Sequence, residues 1–244
     1  MNSKNDLPKP TEQFDAASVP PKKLAPIPKK HNIGMVLLIA GAVLIVLVFL
    51  MLHKPRRYHP ETPENPDEVS TYLTHRLAPD LNNNIQLDEP FNMVVEENGF
   101  NDIISRGIWP LDHGYVQVSS PAVEFTDDSI LIMATVAFSS VPSVITAAFR
   151  PRLDEQGRLY LNLRYVKMGS VRITVFARRL TRAIITEQLQ NVEDGQWLQI
   201  ISDAILENQP FEPVFVAYDK KICLSRIEVQ PGRVRLTFKP ELEK

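Results

Sequence analysis

The chain has 244 residues, a formal net charge of −2 and a hydrophobic share of 44%. That balance gives no argument for nucleic acid as a partner, and the length leaves room for one sizeable domain with its own core. Cys223 is the only cysteine, so an internal disulfide is excluded, and the five histidines show no metal-pair spacing.

Residues 1–32 hold six prolines and six lysines without apolar periodicity. Proline removes backbone donors and favours extended chain, so a disordered tail is expected there. Residues 33–52, from Ile33 to Leu52, contain no polar or charged side chain. Twenty helical residues measure about 30 Å, the thickness of a bilayer's hydrocarbon core, and a helix satisfies its own backbone in lipid. The run is long for a signal peptide and ends at His53 and Lys54 instead of small residues. A single retained transmembrane helix is therefore expected. Lys22, Lys23, Lys29 and Lys30 precede the span, and Lys54, Arg56 and Arg57 follow it. This small excess, with a short tail before a large C-terminal part, gives a cytoplasmic N-terminus and an extracytoplasmic domain in the cell membrane.

Residues 53–66 carry four prolines and pass from basic to acidic, which reads as a stiff stalk lifting the domain off the headgroups. The domain is expected over residues 67–244. Asn65, Pro66 and Glu68 suit a helix start, and Val69, Tyr72, Leu73, Leu77 and Leu81 follow at helical spacing, with Pro79 bending or ending the helix. Phe91–Val95 alternates as a strand. The acidic start and Gly107 stop around Phe100, Ile103 and Ile104 give a short helix. Strands follow at Tyr115–Ser120 and Ala122–Phe125, broken by Pro121, and Asp127-Asp128 reads as a turn, not a calcium site.

Ser129–Ser139 is the most strand-like run. Ile130, Ile132, Ala134, Val136 and Phe138 share one face, and Leu131, Met133 and Ala137 the other, so both faces are expected to be covered. Ser143–Arg150 is the next strand. Arg158–Met168 alternates for eleven residues, and Val171–Val175 is a short strand. Helices are expected at Arg178–Leu189 and Gln196–Asn208, the second with a stripe of Trp197, Ile200, Ile201, Ala204 and Ile205. Strands at Val214–Ala217, Ile222–Gln230 and from Val234 end the chain. The class is α+β: an antiparallel sheet with two or more packed helices.

No nucleotide-binding glycine loop, nucleophile elbow or zinc-protease motif is present in the sequence, so an enzyme is not expected and no cofactor or metal is implied. The charge is unevenly distributed. Residues 59–128 hold fourteen acids against two arginines, and residues 150–182 hold nine bases against two acids. One reading is internal pairing on folding. The other is a patch for anionic headgroups made by Arg150, Arg152, Arg164, Lys167, Arg172, Arg178, Arg179 and Arg182. Too few aromatics interleave with these bases for a nucleic-acid surface.

Several turn motifs between Pro90 and Pro240 are similar to those of YpmS-like membrane-anchored bacterial proteins, and more distantly of LmeA-like lipid-binding proteins. They are Glu96–Ile104, the strand after Trp109-Pro110, Asp154–Leu159, Val166–Gly169 and Ile227–Val234. The resemblance implies a curved sheet wrapped around a helix, with an apolar groove holding a lipid tail. The walls of such a groove would be Ile130, Ile132, Val136 and Phe138 with Leu131 and Met133. The expected function is a single-pass protein whose domain binds a lipid or other apolar ligand at the membrane surface. The alternative is a scaffold or interaction module of a cell-envelope complex. Expected partners are the bilayer, a bound lipid and envelope proteins.

Overall fold

The structure, a computed structural model, describes residues 33–114, 116–138, 141–174, 195–217 and 219–241. The tail at residues 1–32, the helix expected at Arg178–Leu189 and the side chain of Trp197 lie outside the described residues.

Helix α1 is Ile33–Leu52. Its segment Met35–Leu52 has a mean hydropathy of 3.2 and no buried residue, so it is long and apolar enough to span a membrane. A π-helical turn, Leu73–Leu77, leads into α2, Ala78–Gln86. The Ala78 amide reaches back to the Leu73 carbonyl, and Pro79 follows in the first turn of α2. The widened turn lets the chain pass a residue that has no amide donor and whose ring crowds the previous turn. Pro79 therefore neither ends nor breaks the helix. The helix does not start at Asn65, which makes only a turn to Glu68; Ser70 Oγ accepts the Leu73 amide and serves as the cap.

The strands are β1 Phe91–Glu96, β2 Leu111–His113, β3 Val116–Phe125, β4 Ile130–Phe138, β5 Val141–Phe149, β6 Arg152–Leu153, β7 Leu159–Tyr160, β8 Leu163–Met168, β9 Val171–Arg172, β10 Val214–Ala217, β11 Lys220–Gln230 and β12 Arg233–Pro240. Helix α3 is Glu97–Ser105 and α4 is Gly195–Leu206. The α+β class and antiparallel pairing hold. The strands divide into two larger sheets, with orders β1-β12-β11-β10 and β2-β3-β4-β5-β8-β9, and a small β6-β7 ribbon. The first and last strands of the domain thus meet in one sheet, and the middle of the chain forms the other.

Two strand boundaries differ from the alternation pattern for backbone reasons. Pro121 does not divide β3: the register shifts between Ser119 and Ala122, and Ser120 has a φ of 51°. A bulge is a place where a strand tolerates a residue without an amide donor. The eleven-residue run after Arg158 does divide, because Asn162 has a φ of 39° and donates its side-chain amide to the Arg150 carbonyl.

Helix α3 joins the two sheets. Asn101 is buried and acts as a surrogate strand: its Nδ2 donates to the Val123 carbonyl and its Oδ1 accepts the Val123 amide, both at 2.7 Å. Glu97 accepts the Phe125 amide at 2.6 Å, and its own amide bonds to the Gly232 carbonyl. The outer edge of β3 beyond its pairing with β2, at Val123 and Phe125, is thereby satisfied without another strand. Phe100 and Ile104 pack with Val123, Phe125 and Val234. A second cluster lies under α2, where Ile85 meets Phe91, Ile222, Leu224 and Phe238.

Candidate functional site

The last four carbonyls of a helix have no partner within it. In α1 the domain supplies partners for two of them. The Ser170 amide donates to the Leu50 carbonyl at 2.9 Å, and the Ser143 hydroxyl donates to the Met51 carbonyl at 2.6 Å. Between them sits Gly169, at the turn from β8 to β9, with a φ of 55°. A Cβ there would collide with the backbone oxygens of both Leu50 and Met51. Only glycine meets both demands, the left-handed conformation and the close approach of two backbones. Its amide is tied to the Val144 carbonyl at 2.8 Å, which anchors the turn to β5.

The chain leaving α1 does not stand off the domain as a stalk. Pro55–Glu61 lies as a strap across one face of the six-stranded sheet. Tyr58 is 2% exposed and packs with Ala122, Met133 and Val144. Its hydroxyl donates to the Ser120 carbonyl at 2.6 Å and shares a second bond with Thr135 at 2.8 Å. Arg57 pairs with Glu124 at 3.2 Å. The phenol fills the sheet face left small by Ala122 and Val144, a long-range fit that leaves no local trace in a proline-rich segment.

A cleft flanks the strap on either side. The one beside the helix end has a volume of about 410 Å³, with Leu131 and Met133 on its floor and Arg56, Arg57 and Lys167 on its walls. Thr146, Tyr165 and Ser170 add hydroxyls, and among the described residues no acid lines it. The other cleft, about 640 Å³, shares Arg56 and Arg57 but is lined by Glu61, Glu97, Glu124 and His59. Burial raises the Glu124 carboxyl above its ordinary value, against the opposing pull of Arg57. Its Oε2 is buried and has no hydrogen-bond partner among the described residues. Burial, and then the charge of Asp102, also raises Glu61.

The six residues expected to line one apolar groove are split. Strand periodicity turns Leu131 and Met133 toward the strap and Ile130, Ile132, Val136 and Phe138 away from it. Leu131, Met133 and Val136 are buried, Ile130 joins the α3 cluster, and Ile132 is 47% exposed. The basic residues are split too. Arg150 and Arg164 both pair with Asp128, at 3.4 and 3.1 Å, the internal pairing that was the alternative reading. Arg152 lies on the separate β6 ribbon. Lys167 and Arg172 lie over the Tyr165 ring, at 4.8 and 5.7 Å. Arg178, Arg179 and Arg182 lie outside the described residues.

The residues that the alternation pattern does not mark are Tyr58, Ser143 and Gly169, together with the cleft role of Arg56 and Arg57. The one local signal was Gly169, which ends the alternation of β8. Cys223 is no candidate nucleophile, since burial and then Glu241 push its thiol up, away from the reactive thiolate.

No family model matches this chain, and no curated protein or solved structure shows significant similarity to it.

Proposed function

We propose that this chain is a single-pass membrane protein whose C-terminal domain is a non-enzymatic module that engages lipid at the bilayer surface. The observation that carries the reading is the capping of Leu50 and Met51 by Ser170 and Ser143. An apolar helix ending directly on a folded domain holds that domain at the headgroup layer, without a free linker. The lysines before α1 favour a cytoplasmic tail and an extracytoplasmic domain. The turn motifs that resemble those of YpmS-like and LmeA-like proteins would point the same way, although here lipid contact is drawn from a basic cleft and not from a purely apolar groove.

The test is native mass spectrometry of the full chain purified in detergent, followed by solvent extraction of what it retains. Stoichiometric lipid is expected. A clean unliganded mass after incubation with lipid vesicles overturns the reading.

One observation favours a second reading, an interaction module of a cell-envelope complex. Strand β10 ends its sheet and exposes Phe215 and Val216, the latter by 70%. An extended partner segment could add a strand there.

A further inference from the structure

The cleft between the strap and β8 lies next to the end of α1, and its chemistry is one-sided. Arg56, Arg57 and Lys167 face it, and among the described residues no carboxylate does. Arg57 is committed to Glu124, whereas Arg56 and Lys167 have no anionic partner among the described residues. Ser170 both lines this cleft and holds the Leu50 carbonyl, so the mouth of the cleft opens at the last turn of the apolar helix.

Depth decides what can reach it. Lys167 stands one residue before the end of β8, about 3 Å along the strand from where the Gly169-Ser170 turn begins. The headgroup layer on each side of a bilayer is about 5–8 Å thick. The cleft therefore begins at the headgroup layer, within the reach of a lysine side chain. On the opposite side of the strap, Glu61, Glu97 and Glu124 repel anions. The β8 side is thus the more favourable of the two for an anion from the bilayer surface. There the hydroxyls of Thr146, Tyr165 and Ser170 can donate to phosphate oxygens.

We propose that this cleft is a binding site for the phosphodiester headgroup of an anionic phospholipid, held between Arg56 and Lys167. The proposal rests on the membrane-surface reading above and names the lipid class and the residues.

The test uses the full chain in nanodiscs of mixed phosphatidylcholine and phosphatidylglycerol, with native mass spectrometry reading the ratio of the two lipids that stay on the protein. The wild-type chain is expected to enrich phosphatidylglycerol. Each basic side chain near a charged membrane surface contributes about fivefold. The double variant Arg56→Gln, Lys167→Gln should therefore lose about 25-fold of the enrichment, while Arg152→Gln, on the separate ribbon, keeps it. A loss of about fivefold in Arg152→Gln alone, the same per side chain, would mean diffuse charge and overturns the site. So would displacement of the lipid by inorganic phosphate, because the ligand would then be a free anion. If the wild-type chain retains lipid but the double variant retains the same ratio, the site fails and the membrane-surface reading stands. If the wild-type chain retains no lipid at all, that reading fails as well.

Discussion

The hydroxyl of Ser143 donates to the carbonyl of Met51 at 2.6 Å, across ninety-two positions of the chain. With Ser170 on Leu50, it makes the start of β5 and the β8–β9 turn the C-terminal cap of the apolar helix. Gly169 permits that approach. Gly169→Ala would force a side chain into a left-handed conformation, about 1–2 kcal/mol, and into two backbone oxygens. A loss of about 2 kcal/mol or more is expected, against about 1 kcal/mol for Ser143→Ala. Thermal unfolding of the full chain in nanodiscs reads both. Unchanged melting of Gly169→Ala would mean that the helix end is not seated on the domain.

Tyr58 ties the strap to the sheet and belongs to the core. Tyr58→Ala should cost about 3–5 kcal/mol, the usual loss for a large buried ring. Tyr58→Phe keeps the ring but strands the Ser120 carbonyl, and should cost about 1–3 kcal/mol. Denaturant unfolding separates the two. A soluble chain beginning at His59 should also be less stable than one beginning at His53, and equal midpoints would return the strap to a passive stalk.

Local patterns carry much of the fold. The unbroken apolar run of α1, the alternation of β4 and the acidic start of α3 each lie within one continuous segment, and the elements stand where those patterns place them. Where the structure departs from the pattern, the cause is not local. At Pro121, Pro79 and Asn162 a bulge, a π turn and a side-chain bond to Arg150 decide the backbone. The strap leaves no such pattern, because proline-rich composition says nothing about a single tyrosine fitting a distant sheet. The candidate groove failed for a related reason. Alternation told which residues of β4 share a face, but not that the strap would cover one face at Tyr58 while Ile132 stays exposed on the other.

Asn101 occupies the place of a strand beside Val123, as donor and acceptor at once. Asn101→Leu should leave the Val123 amide and carbonyl unpaired on a buried edge and cost about 2–4 kcal/mol. Asn101→Asp keeps an acceptor for the amide but turns an oxygen toward the carbonyl. Its deficit should therefore be larger at neutral pH than in acid, where the carboxyl can donate. Urea unfolding and amide exchange at Val123 test this; full protection of Val123 in Asn101→Leu would contradict the surrogate-strand role.

Two carboxyls should give opposite pH signatures. Asp102 accepts from Ser70 Oγ and, at 2.8 Å, from Arg106 Nε, while Arg106 also holds the carbonyls of Asn65 and Glu68. The Ser70 hydrogen bond first, and then Arg106, hold Asp102 below its ordinary value of 3.8. Its ionised form therefore stabilises the fold at neutral pH, and that contribution is lost as pH falls through the folded-state value. Asp102→Asn should cost about 1.5–3 kcal/mol at neutral pH, with the gap closing in acid. Glu124 is displaced the other way, raised above 4.5 by burial. Its folded form binds the proton more tightly than the unfolded chain does, so stability falls as pH rises from 4.5 through the folded-state value. Glu124→Gln does not titrate, so its stability relative to the wild-type chain should improve across that same window. Urea midpoints of the wild-type chain and both variants, measured from acid to neutral pH, decide the matter. A Glu124→Gln difference that is flat with pH would place that carboxylate in water, not under the strap.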